Sequence, residues 1–385
     1  MYEAREIFDM HFSVIEDTRC QCDVKHPLVD VLILITCAIL CNQVEIDDII
    51  DYGENKLEFL NKYFGIKRIP SPSTITRILN MVNAMVVSIC IVNIMRNMFG
   101  LAGDIIAIDG KTICSTAKMK SYKEKLHIMT AYMTENGISL GQLAVAKKTN
   151  EIPCMIELLD LIDVKDKIIT ADAMHCQKET AKAIRDKECD YVLGVKKNQP
   201  TLYDDIKLMV TDLITSKISS DKEKYETAYK AEKNRTRYEK RTCYLISDVS
   251  WLNKKDDWKD LNNIVAIERI VEEGDNKSKE MSYYISSLKT TPEDYLRIIR
   301  SHWQVESMHW FLDVVMKEDE CRVLSKNGLR NLNVFKKLSL AMHKNYIKTE
   351  EKKISMKRSM HKCLLNDERL LKVLQQDMSS FCNNP

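Results

Sequence analysis

The sequence has no surplus of charge of either sign: 58 Lys and Arg stand against 56 Asp and Glu, a formal net charge of +2 over 385 residues. Overall charge announces no nucleic-acid partner, so any basic surface has to be local. Regular cysteine spacing is also missing. The 13 cysteines lie scattered along a long chain, unlike a small disulfide scaffold, and read as reduced intracellular thiols. Cys20, Cys22 and His26 stand close together, but no second cysteine pair follows at zinc spacing, which argues against a zinc knuckle. No apolar run is long enough to cross a bilayer: the most apolar, residues 28 to 41, contains Asp30. The opening MYEAREIFDM is charged and acidic, unlike a signal peptide. These absences predict a soluble, cytoplasmic protein without a membrane partner, and the length predicts two or three domains.

Residues 1–100 read as all-helical. Pro27 opens VDVLILITCAILC as a buried helix, and VEIDDIIDYGENKLEFLNKYF is a second helix with its acids on one side. SPST then caps a third, ITRILNMVNAMVVSICIVNIMRNMF, with Ser73 or Thr74 at the N-cap. A helix, a Pro/Ser turn and a helix bearing Arg77 read either as a DNA-reading pair or as plain helical packing.

The pattern changes at Gly103. DIIAIDGKT is a short apolar strand ending in Asp109, and KLHIMTAYM and ISLGQLAVA form a hairpin across TENG. Asn150 caps the helix EIPCMIELLDLI, KIITADA is a strand with Asp172 at its carboxyl end, and QKETAKAIRDK is a helix. DYVLGVK is a fifth strand, with a helix from Gln199 to Val210. Three antiparallel strands followed by two helix-linked parallel ones predict an α/β fold with the five-stranded mixed sheet of the ribonuclease H-like class. Residues 211–290 interrupt it, beginning with a polar, Lys-rich stretch through Arg241 and continuing as the β-rich runs RTCYLISDV, NNIVAIERIVEE and MSYYISSL. The predicted layout is an all-helical domain over 1–100, an α/β domain over 101–322 with its β insertion, and a helical tail over 323–385. Basic residues Lys326, Arg330, Lys336, Lys337 and Lys344 group early in that tail.

The helix that follows the insertion, PEDYLRIIRSHWQVESMHWFLDVV, starts on Pro292 and two acids. On a 3.6-residue wheel His302, Glu306, His309 and Asp313 share about 60° of arc. Leu296, Ile299, Trp303, Trp310, Phe311, Leu312, Val314 and Val315 cover most of the rest. That seam reads either as a wetted polar face or as a site, since buried charges are costly unless paired or holding a metal. Packed on the sheet, the helix offers Glu306 as a third carboxylate beside Asp109 and Asp172. Three oxygen-donor acids at a sheet edge suit Mg²⁺ or Mn²⁺. Two such ions about 4 Å apart serve in-line displacement at phosphorus, which is phosphodiester cleavage and strand transfer.

Several long segments carry a resemblance: FSVIEDTR, IIAIDGKT at 105–112, KKTNEIP at 147–153, ITADAMHCQKETA at 169–181, YVLGVKKNQ at 191–199, YYISS, and IRSHWQVESMHWFLDVVMKEDECR. In this order they resemble the DDE-type transposases of the ISAs insertion-sequence group, including the H-repeat-associated proteins of bacteria, over nearly the whole chain. The resemblance implies that Asp109, Asp172 and Glu306 form the DDE triad. It also implies a helical N-terminal associated domain, dependence on Mg²⁺ or Mn²⁺ with two ions, double-stranded DNA partners (terminal inverted repeats and target), and a homo-oligomer on DNA. Departures are His175 and Ser307, where relatives commonly carry Gly and Asn, and a blurred NRTRYEKR segment. His302 and Asp313 stand where distant DDE transposases place Arg and Lys; Asp313 is a candidate helper acid or partner of His309. Lys111, Lys196, Lys197, Arg300 and Arg322 are candidates for phosphate contact. Trp303 and Trp310 read as stacking platforms or, on their shared arc, as core. Competing functions are a structure-directed nuclease without strand transfer, a copy that only binds DNA, and a zinc-binding structural protein using His302 and His309.

Overall fold

The computed structural model describes residues 3–100, 103–114, 116, 125–145, 151–215, 224–234, 236–323 and 325–376. Helices α1 (Glu3–Phe12), α2 (Leu28–Leu40), α3 (Ile46–Asn55), α4 (Leu57–Phe64), α5 (Pro72–Met81) and α6 (Ala84–Phe99) come first. Strands β1 (Ile105–Ile113), β2 (Leu126–Met133) and β3 (Ile138–Val145) follow, then α7 (Glu151–Leu161), β4 (Ile168–Ala171), α8 (Lys178–Asp186), β5 (Asp190–Val195) and α9 (Pro200–Thr215). Next are β6 (Glu226–Asn234), β7 (Arg237–Ile246), β8 (Asn263–Glu273) and β9 (Asn276–Ser286). The chain closes with α10 (Pro292–Trp310), α11 (Lys326–Lys348), α12 (Met356–Leu365) and α13 (Asp367–Leu374). Asn150 and residues 216–223 of the Lys-rich stretch, which the sequence reading uses, lie outside the described residues, as does Arg235 of the blurred segment.

Two compact units divide the chain: Met1–Gly103, Lys111–Ala146 and Ser307–Pro385 form the first, and Asp104–Gly110 with Lys147–Glu306 form the second. In the first unit, two helices expected to be continuous are each broken. The second expected helix splits at Lys56, whose backbone leaves the helical region (φ −113, ψ 20). The third splits at Asn83, whose Oδ1 accepts the Met85 N–H at 2.9 Å and starts α6 at 93° to α5. An asparagine inside an otherwise apolar run hides that restart from a periodicity reading. Ser71, rather than Ser73 or Thr74, caps α5, with Pro72 beginning the first turn. Among the described residues no single helix is long and apolar enough to cross a membrane; α5 and α6 reach that length only as a bent pair.

The helix expected to open a basic tail is instead the core of this unit. Most of α11 is buried, and it packs on α2, α5, α6 and α12. Lys336 and Lys337 are 1% and 5% exposed, so they are not part of a basic surface. Periodicity cannot reveal this, because a lysine stem is apolar enough to be swallowed when its ammonium finds partners. The Lys337 Nζ donates to Thr130 Oγ1 at 2.7 Å and to Gln142 Oε1. Burial pushes its pKa down to about 7. An unfolded lysine titrates near 10.4, so between about pH 7 and 10 the unfolded state holds a proton that the folded state lacks. Stability from this group therefore rises with pH across that window, by up to about 1.4 kcal/mol per pH unit. Lys337→Met is expected to raise the thermal midpoint most near pH 6, with the gain shrinking toward pH 10; a pH-independent difference would refute the assignment.

The second unit is built on a mixed sheet in the order β1-β4-β5-β9-β8-β7-β6. Strands β1, β4 and β5 are parallel, with Ile105 to Ile108 beside Ile168 to Ala171 and Ile168 to Ala171 beside Asp190 to Leu193. Their continuous apolar runs match burial on both faces, the habit of parallel strands. From β5 onward every pairing is antiparallel. The region expected as a separate three-stranded insertion therefore has four strands and extends the sheet, through Val192 beside Ser286. Strand β6, ETAYKAEKN, escapes sequence reading because it is an edge strand whose polar residues give no clear alternation.

Candidate active site

All three candidate acids belong to the second unit. The last parallel pair of β1 and β4 is Ile108 beside Ala171. Asp109 and Asp172 come one step later on neighbouring strands, whose axes lie about 4.8 Å apart. They leave the pairing differently. β1 continues to Ile113, so Asp109 is within a strand rather than at its end, and its Oδ1 accepts the Gly110 N–H at 2.8 Å. Asp172 ends its strand and caps a single 3₁₀ turn, Ala173–His175, accepting the Met174 N–H at 3.1 Å. Asn198 donates to the Ala173 carbonyl, and Gln199 Nε2 to the Cys176 carbonyl at 3.0 Å, so the segment after β5 holds this turn in place.

Helix α10 brings the third acid. Asp294 Oδ2 accepts from Thr290 at 2.6 Å, and the Asp294 N–H is capped by Thr291, so the helix starts where Pro292 and its acids predict. Tyr295, Leu296, Ile298 and Ile299 seat it in one apolar cluster with Ile105, Ile168, Val192 and Val265. His302 is fixed by a 3.0 Å hydrogen bond between its Nδ1 and Thr170 Oγ1, two residues before Asp172. Glu306 lies one turn further along. Burial raises the Glu306 pKa; Asp109 and Asp172 raise it further, and Lys196 opposes them. The carboxylates thus share one repulsive field. Beside them His175 is 1% exposed and kept neutral by burial, against the pull of Asp172 and Asp109.

The remaining candidates separate. Lys196 and Lys197 are exposed just past β5, and Arg300 is exposed on α10. Lys111 is not available to phosphates: its side chain is 9% exposed and paired with Asp313 at 2.6 Å and with Glu318, all within the first unit. That pairing also takes Asp313 away from the helper role, on a π-helical turn, Phe311–Val315, which the wheel does not anticipate. His309 and Arg322 belong to the first unit as well, Arg322 in a cleft with Glu45, Asp47 and Asp48. Trp303 (48% exposed), Trp310 (54%) and Val314 (58%) are not core, since α10 is seated through Leu296, Ile299, Val305 and Met308 instead. A pocket the sequence reading missed lies between Trp303 and Arg300 on α10 and Arg241, Arg269 and Tyr284 on the extended sheet.

Residues 101–342 match the transposase DDE domain family, and residues 10–95 match the associated domain that accompanies it. The chain belongs to the DDE transposase family. This transposase is 34% identical to the putative transposase YncI of Escherichia coli O157:H7, over 90% of its own length and 91% of the relative's. It is 32% identical to the H repeat-associated putative transposase YhhI of Escherichia coli K12, over 94% and 96%. A piggyBac transposase in a synaptic complex with hairpin DNA aligns with all of the chain and 83% of its own, at 12% identity and a TM-score of 0.44. DDE transposases act on DNA with divalent metal ions. The donor set fits such ions: oxygen only, mutually repulsive, and with the Glu306 carboxyl made reluctant to ionise by burial and, after that, by the other two acids.

Proposed function

We propose that this chain is a DNA transposase that binds its element's double-stranded ends, hydrolyses a phosphodiester to free a 3′-hydroxyl, and joins that hydroxyl to target DNA. The observation that carries the reading is the shared field of Asp109, Asp172 and Glu306, three acids far apart in sequence on adjoining elements of one unit. The element order, a strand, an antiparallel hairpin and two helix-linked parallel strands, supports a ribonuclease H-like catalytic core. Asp109, Asp172 and Glu306 would hold Mg²⁺ or Mn²⁺ as a two-ion pair, which would activate the attacking oxygen and stabilise the leaving one. The chain's own residues align the reactants. Thr170 and His302 fix the carboxylate-bearing turn of α10, and Asn198 and Gln199 fix the Asp172 turn. Lys196, Lys197 and Arg300 supply exposed cations for phosphates, and Trp303 beside Arg300 offers an aromatic face to an unpaired base. DNA holding two ends together favours a homo-oligomer.

The test uses the DNA flanking the gene. With Mg²⁺ the protein is expected to cut at the element's ends and, given ends already cut, to join them to a target plasmid. Cutting without joining would reduce the reading to a nuclease, and binding without either would leave a DNA-binding copy.

A further inference from the structure

Twelve cysteines fall among the described residues, and nine of them are buried. Burial pushes the thiols of Cys37, Cys90, Cys154, Cys176, Cys243 and Cys363 up, away from the thiolate form that metals and oxidants attack. Two of the three exposed cysteines, Cys20 and Cys22, lie in one turn of the first unit. The 3₁₀ turn Gln21–Asp23 closes with the Asp23 N–H donating to the Cys20 carbonyl at 3.1 Å. It leaves the Cys20 and Cys22 Sγ atoms 2.7 Å apart, and one donor atom from each of Cys20, Cys22 and Asp23 lies within 4.8 Å of the others. The Cys20 thiol is drawn below its ordinary value by the Cys22 thiol and by the backbone N–H groups of Cys22 and Asp23.

We propose that Cys20, Cys22 and Asp23 form a binding site for a single Zn²⁺ ion, separate from the carboxylate triad. Two sulfurs and one carboxylate oxygen are ligands of the kind zinc takes, and a fourth tetrahedral position stays open. With Zn–S near 2.3 Å, tetrahedral zinc holds two sulfurs about 3.8 Å apart. Both side chains are exposed, so a rotamer change in the turn opens the pair that far. Three anionic donors on Zn²⁺ leave one negative charge, and Lys25 and Arg77 line the same cleft to balance it. His26 lines it too, with its imidazole kept neutral by burial. Binding releases the thiol protons, so affinity rises with pH. A closed zinc knuckle needs two cysteine pairs; this open site needs one.

The experiment is a Co²⁺ titration of the full chain, reduced with a phosphine. Thiolate-to-cobalt charge transfer reports sulfur ligands only, so the oxygen-donor triad is silent in this readout. Saturation is expected at one equivalent, with loss of the band on adding one equivalent of Zn²⁺. Cys20→Ser and Cys22→Ser should each abolish the band with unchanged far-UV circular dichroism, and Asp23→Asn should weaken binding about tenfold. Cys114→Ser, at the third exposed cysteine, should change nothing. Absence of charge transfer in the parent chain, or a band that survives Cys20→Ser, overturns the site. Neither outcome bears on cleavage at the triad, which is measured separately.

Discussion

Asp109→Asn is expected to lower Mg²⁺-dependent end cleavage about a thousandfold or more while the protein still folds and still binds end DNA. The substitution keeps the shape and the acceptor for the Gly110 N–H, so local structure has no reason to change. What it removes is one of the two negative charges that, after burial, push the Glu306 pKa up. Losing a preorganised charge-stabilising group typically costs a factor of 10² to 10³, and in the proposed role the group would also hold the cation, so the upper end is expected. Raised divalent cation should not restore the rate fully, because position as well as occupancy is lost. A gel-based cleavage assay beside a DNA-binding titration separates the two effects. Retained cleavage would remove Asp109 from the active site, and lost folding would make it structural.

The second large effect belongs to stability. Glu318 is 2% exposed; burial alone would raise its pKa, yet Lys111 and Lys336, with hydrogen bonds from Lys111 and Asn333, hold it below the ordinary carboxylate range. Its depressed pKa means that this contribution is present above the ordinary value and is lost as the pH falls through the folded one. Glu318→Gln keeps the volume and leaves Lys336, 1% exposed, without its nearby counter-charge. Removing one partner of a buried charge pair costs about 3–5 kcal/mol, a large share of the 5–15 kcal/mol that holds most domains together. Urea unfolding at pH 7 should show that loss, and adding Lys336→Met should recover part of it. A shift under about 1 kcal/mol would mean that Lys336 reaches water.

These two residues also mark how far the sequence could be read. Asp109 and Asp172 were legible because parallel strands announce themselves as unbroken apolar runs, and an acid after such a run stands out. Glu306 was legible because α10 has a strong start and one charged seam. Glu318 was not, nor was the burial of Lys111: an ion pair between residues 207 positions apart leaves no periodic trace. The same blindness turned α11, a largely buried helix, into an expected basic tail, since lysine stems at core positions look like surface charge. Trp303 and Trp310 erred in the opposite direction, because a wheel assigns side chains to arcs without knowing which arc the sheet covers. The cap at Asn83 and the edge strand β6 were hidden by their neighbours' composition.

The backbone pairing of Val192 with Ser286 has a practical consequence for anyone trimming this protein. Residues 211–290 look like an excisable module, yet cutting them away would strip β5 of a hydrogen-bonded neighbour and leave a naked row of amides and carbonyls along that strand, which runs up to Lys196. Such a margin recruits other chains. The shortened protein would be expected to come out of cells as aggregate, even with Asp109, Asp172 and Glu306 intact, and a minimal version would have to retain the whole ribbon or replace it with a cover for that flank.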